Sequence, residues 1–130
     1  MADVLILPLD GSNGSTTFTD ISASPKTVTA TGNAQISTAQ SKYGGASAHF
    51  DGSAAYLSTT DATIANFGTG DFTVECYVRH TSSGNYGYVQ GALMGTNGSD
   101  KWWFGLETNV IKLGRHNTSD SVSASWTPTL

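Results

Sequence analysis

The amino-acid sequence predicts an antiparallel all-β domain in which two sheets pack face to face, a β-sandwich. Three observations carry that prediction. Short β-prone runs are separated along the whole chain by clusters of Gly, Ser, Asn and Asp, the punctuation of an all-β protein. Residues 71–80 alternate, with Phe72, Val74, Cys76 and Val78 on one face and Thr73, Glu75, Tyr77 and Arg79 on the other. Helical character is confined to residues 60–67, which have room for one turn. About ten short strands with no long helix bury their apolar surface most simply between two sheets.

The elements follow in order. Residues 4–9 (Val-Leu-Ile-Leu-Pro-Leu) are almost continuously apolar, which predicts a strand buried on both faces or wedged between sheets. Pro8 cannot donate to a ladder, so that end belongs at an edge or bulge. Gly11-Ser12-Asn13-Gly14 reads as a loop. Residues 26–31 alternate, residues 34–37 form a short strand, and residues 46–50 and 55–58 flank a turn at Asp51-Gly52. After the strand at 71–80, residues 88–95, 101–107, 110–114 and 121–125 read as a meander. Its turns fall at Asn97-Gly98, a strong hairpin dipeptide, and at Thr108-Asn109.

Composition excludes several classes of function. The chain has 130 residues, the size of one domain with one core. Charged residues make up 12%, half the usual share of roughly 25%, and Gly, Ser and Thr fill the gap. Six Lys and Arg are spread singly and the net charge is -4, so there is no basic stripe to neutralise phosphates, and nucleic acid is not an expected partner. No apolar run approaches the roughly 20 residues that span a bilayer, and the N-terminus lacks the pattern of a signal peptide. The single cysteine, Cys76, excludes an internal disulfide and reads as a small buried hydrophobe.

Residues 41–57, Ser-Lys-Tyr-Gly-Gly-Ala-Ser-Ala-His-Phe-Asp-Gly-Ser-Ala-Ala-Tyr-Leu, resemble a stretch of the laminin-G-like, concanavalin A-like jelly rolls. Residues 70–79, Gly-Asp-Phe-Thr-Val-Glu-Cys-Tyr-Val-Arg, resemble a later strand of that family, with Tyr77 where tryptophan is usual. Leu7-Pro8-Leu9-Asp10-Gly11, with Asp20 ten residues after Asp10, is similar to the family's first strand and loop. The resemblance covers residues 3–80 and weakens from Trp102 on. Copies this rich in Ser, Thr and Ala are found in bacteriophage tail, fibre and capsid-associated proteins. The resemblance implies one laminin-G-like domain over residues 1–130, lacking the family's C-terminal strands. Without those strands the open, apolar edge at residues 4–9 is expected to be covered by a neighbouring subunit or by a continuation of the chain, and the resemblance favours a homotrimer or contact with other virion proteins.

Catalysis is not expected. Glycosidases on this sandwich flank the sugar bond with paired carboxylates, whereas the only glutamates here, Glu75 and Glu107, have no acidic residue two positions on. Nucleophile-elbow, zincin and phosphate-loop motifs are absent from the sequence. His49, His80 and His116 are too scattered in sequence for a typical metal motif. The loop from Asp10 to Asp20 is rich in carboxylate and carbonyl oxygens, which makes Asp10 and Asp20 candidate calcium ligands. The plainer alternative is that both only turn the chain. Glu75, Tyr77 and Arg79 share one face of a predicted strand, and Trp103 and Glu107 share one face of another. An aromatic ring that stacks on sugar C–H surface beside a carboxylate or guanidinium is a glycan-binding pattern. The alternative for Trp102-Trp103-Phe104 is core plus interface.

These readings converge on a non-catalytic structural or adhesion module of a virus particle, displayed on the virion surface and made without a signal peptide, with cell-surface glycan as ligand. A carbohydrate-binding lectin module of a larger protein is the second reading, and a sandwich-hydrolase fragment is the third.

Overall fold

A computed structural model describes residues 4–61, Ile64 and residues 71–79, together with the backbone of four strands between 91 and 125. The described residues are all-β: eight strands, with a single 3₁₀ position at Ile64 inside the segment expected to hold a turn. The chain divides into two units, Met1–Tyr77 and Val78–Leu130.

The first unit carries two small antiparallel sheets. β1 (Thr29–Thr31) pairs with β4 (Tyr56–Ser58), and β2 (Gln35–Ser37) pairs with β3 (Ser47–His49). All four lie where the alternation and turn residues put them, shorter by one to three residues. The turn between β3 and β4 forms as Asp51-Gly52 predicts. The Ser53 N–H donates to Asp51 Oδ1 at 2.8 Å, the Asn33 amide donates to Oδ2 at 2.7 Å, and Gly52 takes φ 78°.

β2 is the centre of this unit. Beyond its pairing with β3, the Ile36 N–H donates to the Ser15 carbonyl at 2.7 Å, and the Ile36 carbonyl accepts from the Gly14 N–H at 2.8 Å. The 12–15 loop closes on itself through Ser15 N–H to the Ser12 carbonyl at 3.0 Å, with Gly14 at φ 81°, as the third position of a type II turn requires. Asn13 Oδ1 clips the loop to the end of β2 by accepting the Thr38 N–H at 3.1 Å. Fully buried Ile36 thereby meets Phe18 and Ala46, and Leu9, Val28, Ala30, Ala48 and Leu57 pack around them.

Gly32 follows β1 directly. It holds φ 64°, and a Cβ there would lie 2.7 Å from the Ala54 carbonyl oxygen, a backbone atom that cannot swing away. Gly32→Ala should cost about 2 kcal/mol, combining the left-handed penalty with a shift of the β4 approach. A lowered denaturation midpoint at unchanged slope would register it.

Two expectations are corrected. Residues 4–9 form no strand. Their extended path ends at Pro8 and at Leu9, whose φ of 59° no ladder accommodates, and Leu5, Ile6, Leu7 and Leu9 are half-buried rather than enclosed. Residues 71–79 also join no ladder among the described residues. Without a paired sheet to cover them, Phe72 and Val78 are 44% and 39% exposed, Cys76 is exposed, and Val74 alone is half-buried. Alternating polarity marks what a segment is able to bury, and burial also needs a partner surface.

The second unit is the meander the sequence predicts: β5 (Gly91–Gly95), β6 (Trp102–Glu107), β7 (Val110–Arg115) and β8 (Ser121–Ser125), antiparallel in chain order. Register and alternation sort its residues by face. Trp102, Phe104, Leu106, Ile111, Leu113, Arg115, Val122 and Ala124 fall on one side, mostly apolar, and Trp103, Gly105, Glu107, Val110, Lys112, Gly114 and the three serines of β8 on the other. β5 contains a bulge at Leu93, where the register steps from Ala92↔Gly105 to Met94↔Phe104. The extra residue returns Met94 to the apolar side.

Candidate functional site

Two of the exposed aromatic residues of the first unit, Tyr43 and Tyr77, meet at one place. Ser41-Lys42-Tyr43 leads into Gly44 and Gly45, both left-handed at φ 69° and 81°. Two such residues in succession reverse the chain sharply, at little strain only because both are glycine. Tyr43, just before the reversal, is 68% exposed, and Tyr77 is 72% exposed. Their rings meet edge to face, with centroids 5.4 Å apart and planes at 76°, the geometry that the charge distribution of aromatic rings favours.

Lys42 completes the cluster. Its ammonium lies 5.8 Å from the Tyr43 centroid and 5.7 Å from that of Tyr77, within cation–π range of both. A hydrogen bond with the Tyr77 side chain raises the Tyr43 phenol above its usual pKa, and charge repulsion and desolvation add to the rise. Asp10 is exposed and borders the turn, since a Cβ on Gly44 would come within 3.7 Å of its own.

The site residues expected from sequence are thus distributed over two places. Glu75, Tyr77 and Arg79 are all exposed, and of these Tyr77 is the one drawn into the aromatic cluster. Trp103 and Glu107 share a face of β6 as alternation requires. Trp103 has Gly95 and Gly114 as its register partners, so glycines flank it on both neighbouring strands. Lys112 joins that face, opposite Gly105.

Asp20 has a different role. Buried at 4% exposure, its Oδ1 accepts the N–H groups of Ile6 at 3.0 Å and Ser22 at 2.9 Å. Its Oδ2 accepts the Ser22 hydroxyl at 2.9 Å and the Lys26 N–H at 2.8 Å. Burial alone would raise its pKa, but these four donors outweigh it and hold the carboxyl far below the usual carboxylate range. Four donors match the lone-pair capacity of a carboxylate, so Asp20 ties the segments around Ile6, Ser22 and Lys26 together. No group of three His, Cys, Asp or Glu side chains placed to share a metal ion occurs among the described residues.

Lys42 and Tyr43 were not singled out by reasoning from sequence. Both lie in the segment that carries the family resemblance, where they read as fold signature. The available signal was an aromatic side chain placed directly before Gly-Gly, on a loop too tight to bury it. No family model, curated protein or solved structure matches the chain.

Proposed function

We propose that this domain is a non-catalytic structural and adhesion module of a virus particle, folded as a two-sheet sandwich of the laminin-G-like, concanavalin A-like type, that contacts surface glycans. The observation that carries the adhesion reading is the Tyr43–Tyr77 pair, two large rings left open to solvent beside an ammonium. Tyrosine is intermediate in burial, and at a surface it is well suited to contact because it offers apolar area and a hydroxyl at low entropic cost. The two-faced meander supports the sandwich, since its apolar side calls for a covering layer. The scarcity of charge suits a solvent-facing appendage, and the sequence lacks the carboxylate pair of sandwich-fold glycosidases. Association into a homotrimer or with other virion proteins completes the proposal.

One sugar ring stacked on one aromatic contributes about 1 kcal/mol, so a lone site binds weakly. Display in many copies multiplies this by roughly 10² to 10⁴. Beads or particles carrying many domains should therefore adhere to a glycan array on which isolated domain gives almost no signal. Tyr77→Ala should reduce that adhesion at least about tenfold while leaving the thermal transition in place, because the ring is mostly exposed. Adhesion unchanged by Tyr77→Ala would refute the assignment of this surface, and a multivalent display that adheres to no glycan would refute the adhesion reading.

A further inference from the structure

We propose that Lys42, Tyr43 and Tyr77 form a recognition site for a carboxylated sugar unit, a uronate or sialate, with the ammonium of Lys42 taking the carboxylate. This rests on the adhesion reading above and specifies its ligand. Two tyrosines at 76° make a corner in which one ring is a floor and the other a wall. At 5.4 Å between centroids there is no space for a third ring between them, so a pyranose lies on an outer ring face.

The ammonium stands almost equally far from the two centroids, so it sits at the corner rather than over one ring. A carboxylate carried by a stacked sugar meets it there. Exposed Asp10, bordering the turn at Gly44, and exposed Glu75, two residues before Tyr77, are acceptors suited to sugar hydroxyls.

Bulk charge does not explain such a preference. The chain as a whole carries -4 and repels anions, so selection for an acidic sugar has to come from a local cation. Among the described residues Lys42 is the ammonium placed against exposed aromatic rings. The turn that presents the site is built from two consecutive glycines. Gly44 and Gly45 hold left-handed angles, and space is open where a Gly45 side chain would project.

The test is a titration of the full chain with matched pairs of acidic and neutral sugars, the monosaccharides as methyl glycosides, followed through the tyrosine ring signals by NMR. Glucuronide is compared with glucoside, galacturonide with galactoside, and sialyllactose with lactose. At least one acidic member should shift the Tyr43 and Tyr77 signals and bind about fivefold tighter than its neutral partner, the scale of one exposed ion pair. That margin should shrink as salt is raised and disappear in Lys42→Gln, while Lys42→Arg retains it. Equal binding of acidic and neutral partners would overturn the carboxylate assignment and leave the adhesion reading standing. A preference that survives Lys42→Gln would overturn the role of Lys42. Absence of any ring response to all six sugars would overturn the site, and the multivalent array then decides the adhesion reading by itself.

Discussion

Replacing Asp20 by alanine should cost about 3 kcal/mol or more, a large part of the stability of a domain this size. The carboxylate is the common acceptor for four donors that come from three separate stretches of chain, at Ile6, Ser22 and Lys26. Alanine strands these donors in a place that is mostly shielded from water. Asp20→Asn keeps the shape but turns an NH₂ group toward donors, so it should recover only part of the loss. The acid response has a definite sign. The folded-state pKa of Asp20 lies below its unfolded value, so the stabilisation is complete above about pH 5 and is lost as pH falls through the folded pKa in strong acid. Urea midpoints measured for both proteins from pH 7 downward should converge only in that acid range. Equal midpoints at pH 7 would show that the carboxylate does not hold these segments together.

Ile36→Ala should cost about 2–5 kcal/mol, and Ile36→Val about 0.5–1.5 kcal/mol. Ile36 is the one large side chain fully enclosed among the described residues, and it joins Phe18 and Ala46 at the centre of the first unit. Its backbone is fixed on both sides, by β3 and by the 14–15 loop, so the neighbours have little freedom to collapse into the vacated space. The check is a urea melt followed by Trp or Tyr fluorescence, with a lower midpoint at unchanged slope. A small loss for Ile36→Ala would mean that the Phe18–Ile36–Ala46 cluster is not the core of this unit.

The strands were legible wherever a turn signal bounded them. Asp51-Gly52 predicted the β3–β4 reversal, and two residues between Glu107 and Val110 predicted the β6–β7 hairpin, because local chemistry dictates both. The alternation in β6 likewise put Trp103 and Glu107 on one face, as the register has it. Residues 71–79 were misread because their alternation is a local property, whereas pairing depends on what another part of the chain supplies. Residues 4–9 failed for a related reason. Pro8 was recognised as an interruption, but the left-handed turn at Leu9 is set by tertiary context and has no residue signature in leucine. The aromatic site was half legible. Tyr77 was named, while Tyr43 and Lys42, more than thirty residues earlier, are brought to it by folding alone.

The bulge at Leu93 sets the two margins of the meander apart. Among the described residues β5 and β8 are the two edges of that sheet, and they are unlike each other. On β5 the extra residue breaks the even spacing of donors and acceptors and adds local twist, which discourages another strand from docking. On β8, Ser-Val-Ser-Ala-Ser keeps an unbroken register with β7 and carries neither proline nor charge. Among the described residues the ladder is therefore interrupted along one margin and even along the other.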